Sequence, residues 1–161
     1  MNYKEMTPAL EEGPFYKAGS PERTKIAAPS TVGSTLIVQG YVLDKNNRPI
    51  AKAWMDFWQA DGRGEYDNSG YNLRGHQYTD QNGFYHLETV RPVEYERRTA
   101  HIHAKVRAND NSPILTVQLF LPDEEMNRTD PIFDIALVMN VTDIDGCEKA
   151  HFDFVLNVDS G

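Results

Sequence analysis

Two histidines one residue apart, His101 and His103, have the clearest potential for chemistry in this sequence. They lie in the segment TAHIHAKVRA, whose residues alternate as in a β-strand. Alternate strand residues point to one face, so the two imidazoles project the same way, with Cα atoms about 6.6 Å apart. Two imidazoles on one rigid face can bind a single metal ion. The alternative is a histidine pair on a solvated strand face, and the pair alone does not decide between them.

Two tyrosines upstream favour the metal site. Tyr66 ends the motif WQADGRGEY, and Tyr95 ends the turn sequence RPVEY. A phenol has a pKa of about 10, so it binds a metal as phenolate only where a strong Lewis acid displaces its proton. Anionic oxygen donors suit a hard trivalent ion, and Fe(III) balances two phenolates and one hydroxide. Zn(II) more usually takes a third histidine or a carboxylate.

These side chains need a rigid scaffold, and the pattern beyond residue 35 is that of short β-strands. Residues 36–43 and 53–59 are apolar and rich in β-formers, and 76–90 is typical of a hairpin with Asn82-Gly83 in its turn. Residues 114–121 and 151–158 alternate, so we expect His151 on a solvated strand face. Residues 123–133 allow one short helical turn. The sequence predicts an all-β protein with an antiparallel β-sandwich core.

Residues 1–34 are punctuated by proline and glycine too often for a helix or a long strand. The motif EGPFY within them carries two aromatic residues that favour burial. We therefore expect an irregular N-terminal arm packed against the sandwich of residues 35–161. The 161 residues fit a single domain.

Composition excludes several functional classes. A formal net charge of −8 without a basic run disfavours a nucleic-acid partner. The single cysteine, Cys147, excludes an internal disulfide and a cysteine-based zinc site. No apolar run is long enough for a membrane span, and the acidic N-terminus lacks the apolar core of a secretory signal. We expect a soluble cytoplasmic protein without a membrane partner.

Several longer segments follow one another in a specific order over about two thirds of the chain. They are EGPFY, VQGYVLDKNNRPIAKAWMDFWQADGRGEY, LRGHQYTDQNGFYHLETVRPVEY and RTAHIH, followed by LTVQLF. In these segments the chain resembles the intradiol ring-cleavage dioxygenases, which comprise catechol 1,2-, hydroxyquinol 1,2- and protocatechuate 3,4-dioxygenases. The resemblance implies a β-sandwich core, in agreement with the strand pattern.

The resemblance also implies a complete set of metal ligands. Tyr66 matches the first tyrosinate ligand of the family, and Tyr95 matches the second, which leaves the iron when substrate binds. His101 and His103 match the two histidine ligands. The implied cofactor is Fe(III), and the implied partners are a catechol-type substrate and O2.

Further residues match positions around the substrate. Arg98 matches the arginine that stabilises the activated substrate, and Gln118 matches a glutamine close to the reacting ring. Gly13 and Pro14 match positions that line the substrate pocket, sometimes across a subunit boundary. The implied reaction opens the ring between the two hydroxyl-bearing carbons and gives a cis,cis-muconate-type diacid, a step of aromatic compound catabolism.

The chain departs from the family pattern in three places. Few residues precede EGPFY, so we do not expect the N-terminal helical region that builds a dimer interface in part of the family. A homo-oligomer is therefore possible but not required. The connection between Tyr95 and His101 is shorter than usual, which predicts an open pocket that admits bulky or substituted catechols. Thr99 and Trp54 replace a proline and a smaller residue. Arg97 could recognise a carboxylate on the substrate, or it could be simply solvated.

Two other classes share part of this pattern. A cupin also carries two histidines one residue apart, but its signature requires a glutamate shortly afterwards, where this chain has Arg107 and Ala108. A binding-only sandwich of the transthyretin type would share the strands and hold no metal. A catalytically lapsed or binding-only relative of the dioxygenases therefore stays the alternative function.

Overall fold

The computed structural model describes residues 3–159 and contains two packed β-sheets. Strands within this range are β1 Thr35–Leu43, β2 Trp54–Gln59, β3 Arg74–Tyr78, β4 Phe84–Val90, β5 His101–Arg107, β6 Leu115–Phe120, β7 Asn140–Ile144, β8 Cys147–His151 and β9 Phe154–Val155. Two short 3-10 helices, Glu125–Arg128 and Ile135–Leu137, lie between β6 and β7. The first of them confirms the short helical turn expected in residues 123–133.

One sheet has the strand order β4-β1-β8-β7, with β9 beside the end of β1, and the other has the order β3-β2-β5-β6. All pairs are antiparallel except β1 with β8 and β1 with β9. The predicted all-β sandwich is confirmed. The strand with the two histidines, β5, is central in its sheet and is held by β2 and β6 on its two sides.

The core lies between the sheets and is formed by alternate residues of each strand. Ile102 and Ala104 of β5 face it, as do Met55 and Phe57 of β2, and all of them are fully buried. Each large apolar side chain buried in this way contributes about 1.5–3 kcal/mol. The intervening residues of β2 and β5 consequently face away from the core, towards the N-terminal arm.

The prediction of a hairpin in residues 76–90 is wrong. β3 pairs with β2, whereas β4 pairs with β1 in the opposite sheet, so the connection crosses the sandwich. The turn itself forms, and Gly83 adopts a φ of 74°. Local alternation and turn residues do not distinguish a hairpin from a connection between sheets, because both need two strands and a tight turn.

The prediction of one strand over residues 151–158 is also wrong. β8 ends at His151, and β9 comprises only Phe154 and Val155. Asp153 interrupts the strand because its carboxylate accepts a hydrogen bond from the Tyr41 backbone N–H at 2.9 Å. His151 is exposed, as expected.

The hairpin of β7 and β8 is absent from the sequence-based prediction. Asp145 and Gly146 form its turn, with φ values of 53° and 80°. An Asp-Gly pair between two β-forming segments is a strong hairpin signal, and it was present in the sequence.

Residues 3–34 form no continuous strand and run as an irregular arm, as predicted. The arm contacts both sheets through isolated bridges, from Glu22 to His76 of β3 and from Lys25 to Glu88 of β4. The N–H of Leu10 also donates to a β6 carbonyl at 2.8 Å. Through Leu10 and Glu22 the arm covers the face of the β3-β2-β5-β6 sheet that points away from the core. Among residues 3–159, no helix has the length and apolar character needed to cross a membrane.

Candidate metal centre

The two histidines occupy the beginning of β5 on the arm side of its sheet. Both are buried, with 6% of His101 and 2% of His103 exposed. Their Nε2 atoms lie 3.1 Å apart. The solvated histidine pair that the sequence left open is therefore excluded.

Neighbouring groups fix the orientation of each imidazole. His101 Nδ1 lies 2.6 Å from the Thr99 carbonyl oxygen. A carbonyl only accepts, so Nδ1 carries the hydrogen and Nε2 keeps its lone pair. The His103 ring stacks on Trp58, with ring centroids 4.6 Å apart and planes 7° apart. The Nδ1 atom of His103 is buried and has no hydrogen-bond partner among the described residues.

Tyr66 brings a phenol oxygen to the same point. Its hydroxyl lies 2.9 Å from His103 Nε2 and 3.4 Å from His101 Nε2. The residue follows β2 in a loop, and the ring of Phe15 from the arm stacks on it at a centroid distance of 4.2 Å. A Cβ on Gly64 would lie 2.7 Å from the Glu94 carbonyl oxygen, so this loop needs glycine for its close approach to the segment before Tyr95.

Burial keeps all three groups in their neutral forms. It raises the pKa of the Tyr66 phenol well above its ordinary value, although nearby guanidinium groups oppose the shift. Burial also lowers the pKa of His101 to about 4 and that of His103 well below its ordinary value. Only a strong local positive charge would make Tyr66 a phenolate here.

The donor atoms fit a metal ion. Bonds of about 2.1 Å place neighbouring ligand atoms of one ion about 3 Å apart, which is the spacing of these three atoms. No group of three or more His, Cys, Asp and Glu side chains in residues 3–159 could hold a metal. The candidate centre is not a group of that kind, because its oxygen atom comes from a tyrosine phenol.

Tyr95 lies beside these residues at the edge of the site. Its ring is perpendicular to that of Tyr66, at a centroid distance of 5.9 Å, and it also contacts the edge of Phe15. A tight turn holds it, since Tyr95 and Arg98 exchange backbone hydrogen bonds of 2.8 and 3.0 Å. Glu96 within the turn has a φ of 53°.

Arg98 and Gln118 form one hydrogen-bonded unit next to the histidines. A guanidinium N–H of Arg98 donates to Gln118 Oε1, and Gln118 Nε2 donates to the Glu11 carbonyl at 2.9 Å. The other side of the guanidinium is held by Asp130, at 2.8 Å from Nε to Oδ2. Gln118 therefore connects the arm to Arg98, and Asp130 binds the guanidinium at its Nε atom.

A single cavity of about 280 Å³ unites these side chains. Every site residue proposed from the sequence lines it, namely Gly13, Pro14, Tyr66, Tyr95, Arg98, His101, His103 and Gln118. A Cβ on Gly13 would lie 3.5 Å from His103 Cε1, so the arm of the same chain forms one wall of the cavity.

Sequence analysis missed the residues that support this site. Asp130 holds Arg98, Trp58 stacks on His103, and Phe15 stacks on Tyr66. Arg74, 2% exposed, donates to the backbone carbonyls of Phe15 at 2.5 Å and Asp67 at 3.0 Å, and so joins the arm to the Tyr66 loop. Phe15 and Arg74 stand in the quoted motifs EGPFY and LRG, whereas no sequence signal connects Asp130 to Arg98.

Comparison with known proteins identifies the family. Residues 11–158 match the family model described as Dioxygenase. The chain belongs to the intradiol ring-cleavage dioxygenases.

Curated relatives in this family are longer than this chain. The catechol 1,2-dioxygenase of Acinetobacter baylyi is 30% identical over 139 residues, which are 68% of this chain and 45% of that protein. The hydroxyquinol 1,2-dioxygenase of a Rhizobium species is 29% identical over 164 aligned residues, covering 84% of this chain and 55% of that protein. The chain thus spans about half the length of these relatives.

Solved structures share the fold over nearly the whole chain. The dioxygenase domain of a dioxygenase carbohydrate-binding protein fusion from Streptomyces sp. SirexAA-E is 44% identical, with a TM-score of 0.92. The match covers 96% of this chain and 100% of that one. The catechol 1,2-dioxygenase of Acinetobacter sp. ADP1 has a TM-score of 0.85 at 25% identity, over 96% of this chain and 63% of that one.

Proposed function

We propose that residues 1–161 act as a single Fe(III)-dependent intradiol dioxygenase domain. The reaction combines a catechol with O2, breaks the ring bond between the two hydroxyl-bearing carbons and incorporates both oxygen atoms in a cis,cis-muconate-type diacid. The observation that carries this proposal is the meeting of a half-buried phenol and two buried imidazoles within 3.4 Å at one wall of a substrate-sized cavity.

Four side chains would hold the iron, namely Tyr66, Tyr95, His101 and His103. Fe(III), when bound, supplies the Lewis acidity and the electron exchange with a chelated catechol that make its ring react with O2. The hydrogen bond from His101 Nδ1 to the Thr99 carbonyl keeps Nε2 available as a donor.

Tyr95 is suited to move a proton. It stands at the edge of the cavity and is half-exposed, whereas Tyr66 is fixed by the stacked ring of Phe15. Tyr95 would be the more loosely held of the two tyrosine ligands, and its phenol oxygen would take a hydroxyl proton of the incoming catechol. Tyr66 stays in place and preserves the arrangement of the remaining donors.

Arg98 stabilises negative charge on the ring. Its guanidinium lines the cavity and is held by Asp130 and Gln118, so it is oriented before the substrate arrives. An oriented donor of this kind is worth about 2.7–4 kcal/mol in the transition state. Phe15 and Ile132 contribute apolar cavity wall.

The test combines iron content with product analysis. The purified chain should bind iron, acquire a reddish tyrosinate colour and convert catechol under 18O2 to a diacid that carries both labelled oxygens. Tyr66→Phe and His101→Ala should lose most of the iron with unchanged circular dichroism. Tyr78→Phe, an exposed tyrosine on β3, is the matched control.

Tyr95→Phe tests the division of roles between the tyrosines. This variant should retain iron and change colour when catechol is added without oxygen, but turn over slowly. Full iron occupancy in Tyr66→Phe would remove Tyr66 from the ligand set. Catechol binding without ring opening in the parent chain would identify the binding-only or lapsed alternative.

A further inference from the structure

Some charged residues that line the cavity have an ion-pair partner and others do not. Glu11 and Glu96 line it, both are exposed, and neither has an ion-pair partner among residues 3–159. Arg98 is the single cation in the described lining, and its charge is balanced by the fully buried carboxylate of Asp130 at 2.8 Å. Two glutamates without an ion-pair partner among the described residues therefore lie at the cavity, whereas the one cation of its described lining is already paired with Asp130.

Charged residues around the cavity do not offset its negative charge. Arg97 is exposed and does not line the cavity, so the carboxylate-binding role considered for it has no structural support. A second cavity, of about 260 Å³, shares Phe15, Tyr66 and Tyr95 with the first, and its one charged residue is Glu65. Arg63 lies 3.2 Å from that carboxylate and pairs also with Asp61. The whole chain carries a formal charge of −8.

We propose that Glu11 and Glu96 select substrates by charge, and that the preferred substrate class is catechols whose ring substituent carries a protonated amine. This inference rests on the proposed function, because it assigns a specificity to the same site. Catechols with an uncharged substituent rank second, and catechols with a carboxylate substituent rank last.

Coulombic energies support a measurable effect. A unit charge several ångströms away in a partly aqueous site changes an affinity by about twofold, and each carboxylate attracts a cation as well as repelling an anion. Each of the two carboxylates strengthens binding of a cationic catechol and weakens binding of an anionic one. Together these effects predict that the cation is preferred to the anion by about tenfold or more at low salt. Because both residues are exposed, the preference should shrink as ionic strength rises.

The experiment compares three catechols of similar shape on the iron-loaded chain. They are 4-(2-aminoethyl)catechol, 4-ethylcatechol and 3,4-dihydroxyphenylacetate, which carry a cation, no charge and an anion. Dissociation constants come from calorimetry without oxygen, and kcat/KM from oxygen uptake. The variants are Glu11→Gln, Glu96→Gln and Arg97→Gln. Asp145→Asn in the β7–β8 turn of the other sheet is the control that removes the same charge.

We expect the affinity and kcat/KM to favour the cationic catechol over the anionic one by about tenfold. Glu11→Gln and Glu96→Gln should each reduce that ratio by about threefold. Asp145→Asn and Arg97→Gln should leave the ratio within about twofold. Equal affinities for the three compounds, or selective loss of the anionic catechol in Arg97→Gln, would overturn the proposal. Absence of turnover with 4-ethylcatechol would contradict the proposed function instead, and the dissociation constants would still decide the charge preference.

Discussion

Replacing Asp130 with asparagine should weaken both the fold and the side-chain arrangement of the candidate site. Its carboxylate is fully buried and accepts hydrogen bonds from Arg98 Nε, from the Thr99 N–H and from the Ile132 N–H, each at 2.8 Å. Asparagine keeps one acceptor oxygen but turns an NH2 group towards donors. The change removes the negative charge opposite Arg98.

The loss can be estimated from these contacts. A hydrogen bond between charged groups contributes about 1.5–3 kcal/mol and a neutral one about 1 kcal/mol. Because 21% of the Arg98 side chain is exposed, water replaces part of what is lost. We expect Asp130→Asn to lower the free energy of unfolding by about 3 kcal/mol, which corresponds to a Tm decrease of about 6–12 °C in a chain of this size.

The same variant should reduce kcat/KM for catechol by about tenfold to hundredfold, because Arg98 loses its anchor. Urea unfolding followed by circular dichroism gives the stability, and oxygen uptake gives the rate. Asp123→Asn is the control. Asp123 is exposed and lies just before the 3-10 helix Glu125–Arg128, and its φ of 62° suits asparagine. Asp130→Asn with stability within about 0.5 kcal/mol of the parent and an unchanged rate would refute this reasoning.

Two further predictions concern the scaffold. Gly40→Ala should destabilise the chain by about 3 kcal/mol or prevent folding, because a Cβ there would lie 2.0 Å from the Phe152 carbonyl oxygen. Gly146→Ala meets no atom within 4 Å and should cost only about 1–2 kcal/mol for its positive φ, so urea midpoints that rank the two variants equally would contradict the packing argument. Hydrogen bonds from the Gly70 N–H and neighbouring backbone groups lower the pKa of Asp67 to about 2. Its stabilising contribution is therefore present above pH of about 4 and is lost as pH falls through 2, and Asp67→Asn should abolish this part of the pH dependence of stability. A pKa near 4 for Asp67 in the folded protein, measured by carboxyl NMR, would exclude this contribution to the pH dependence of stability.

The sequence determined the class of fold and the members of the candidate centre. Alternation of apolar residues is a local property of a strand, so β1, β2, β5 and β6 could be predicted within one or two residues. The spacing of His101 and His103 fixed their common face before any tertiary contact was known. Motif order then related Tyr66, Tyr95, Arg98 and Gln118 to them, and all of these residues line one cavity.

Only the tertiary structure decided which distant groups meet. The connection after β3 crosses to the other sheet because strand partners are chosen by packing of the whole sandwich, and a local turn motif carries no information about that choice. Asp130 reaches Arg98 across 32 positions of sequence, and a charge count cannot predict that this pairing leaves Glu11 and Glu96 as the free charges of the cavity. Side-chain type and periodicity are properties of short segments, whereas burial and charge compensation depend on which segments the folded chain brings together.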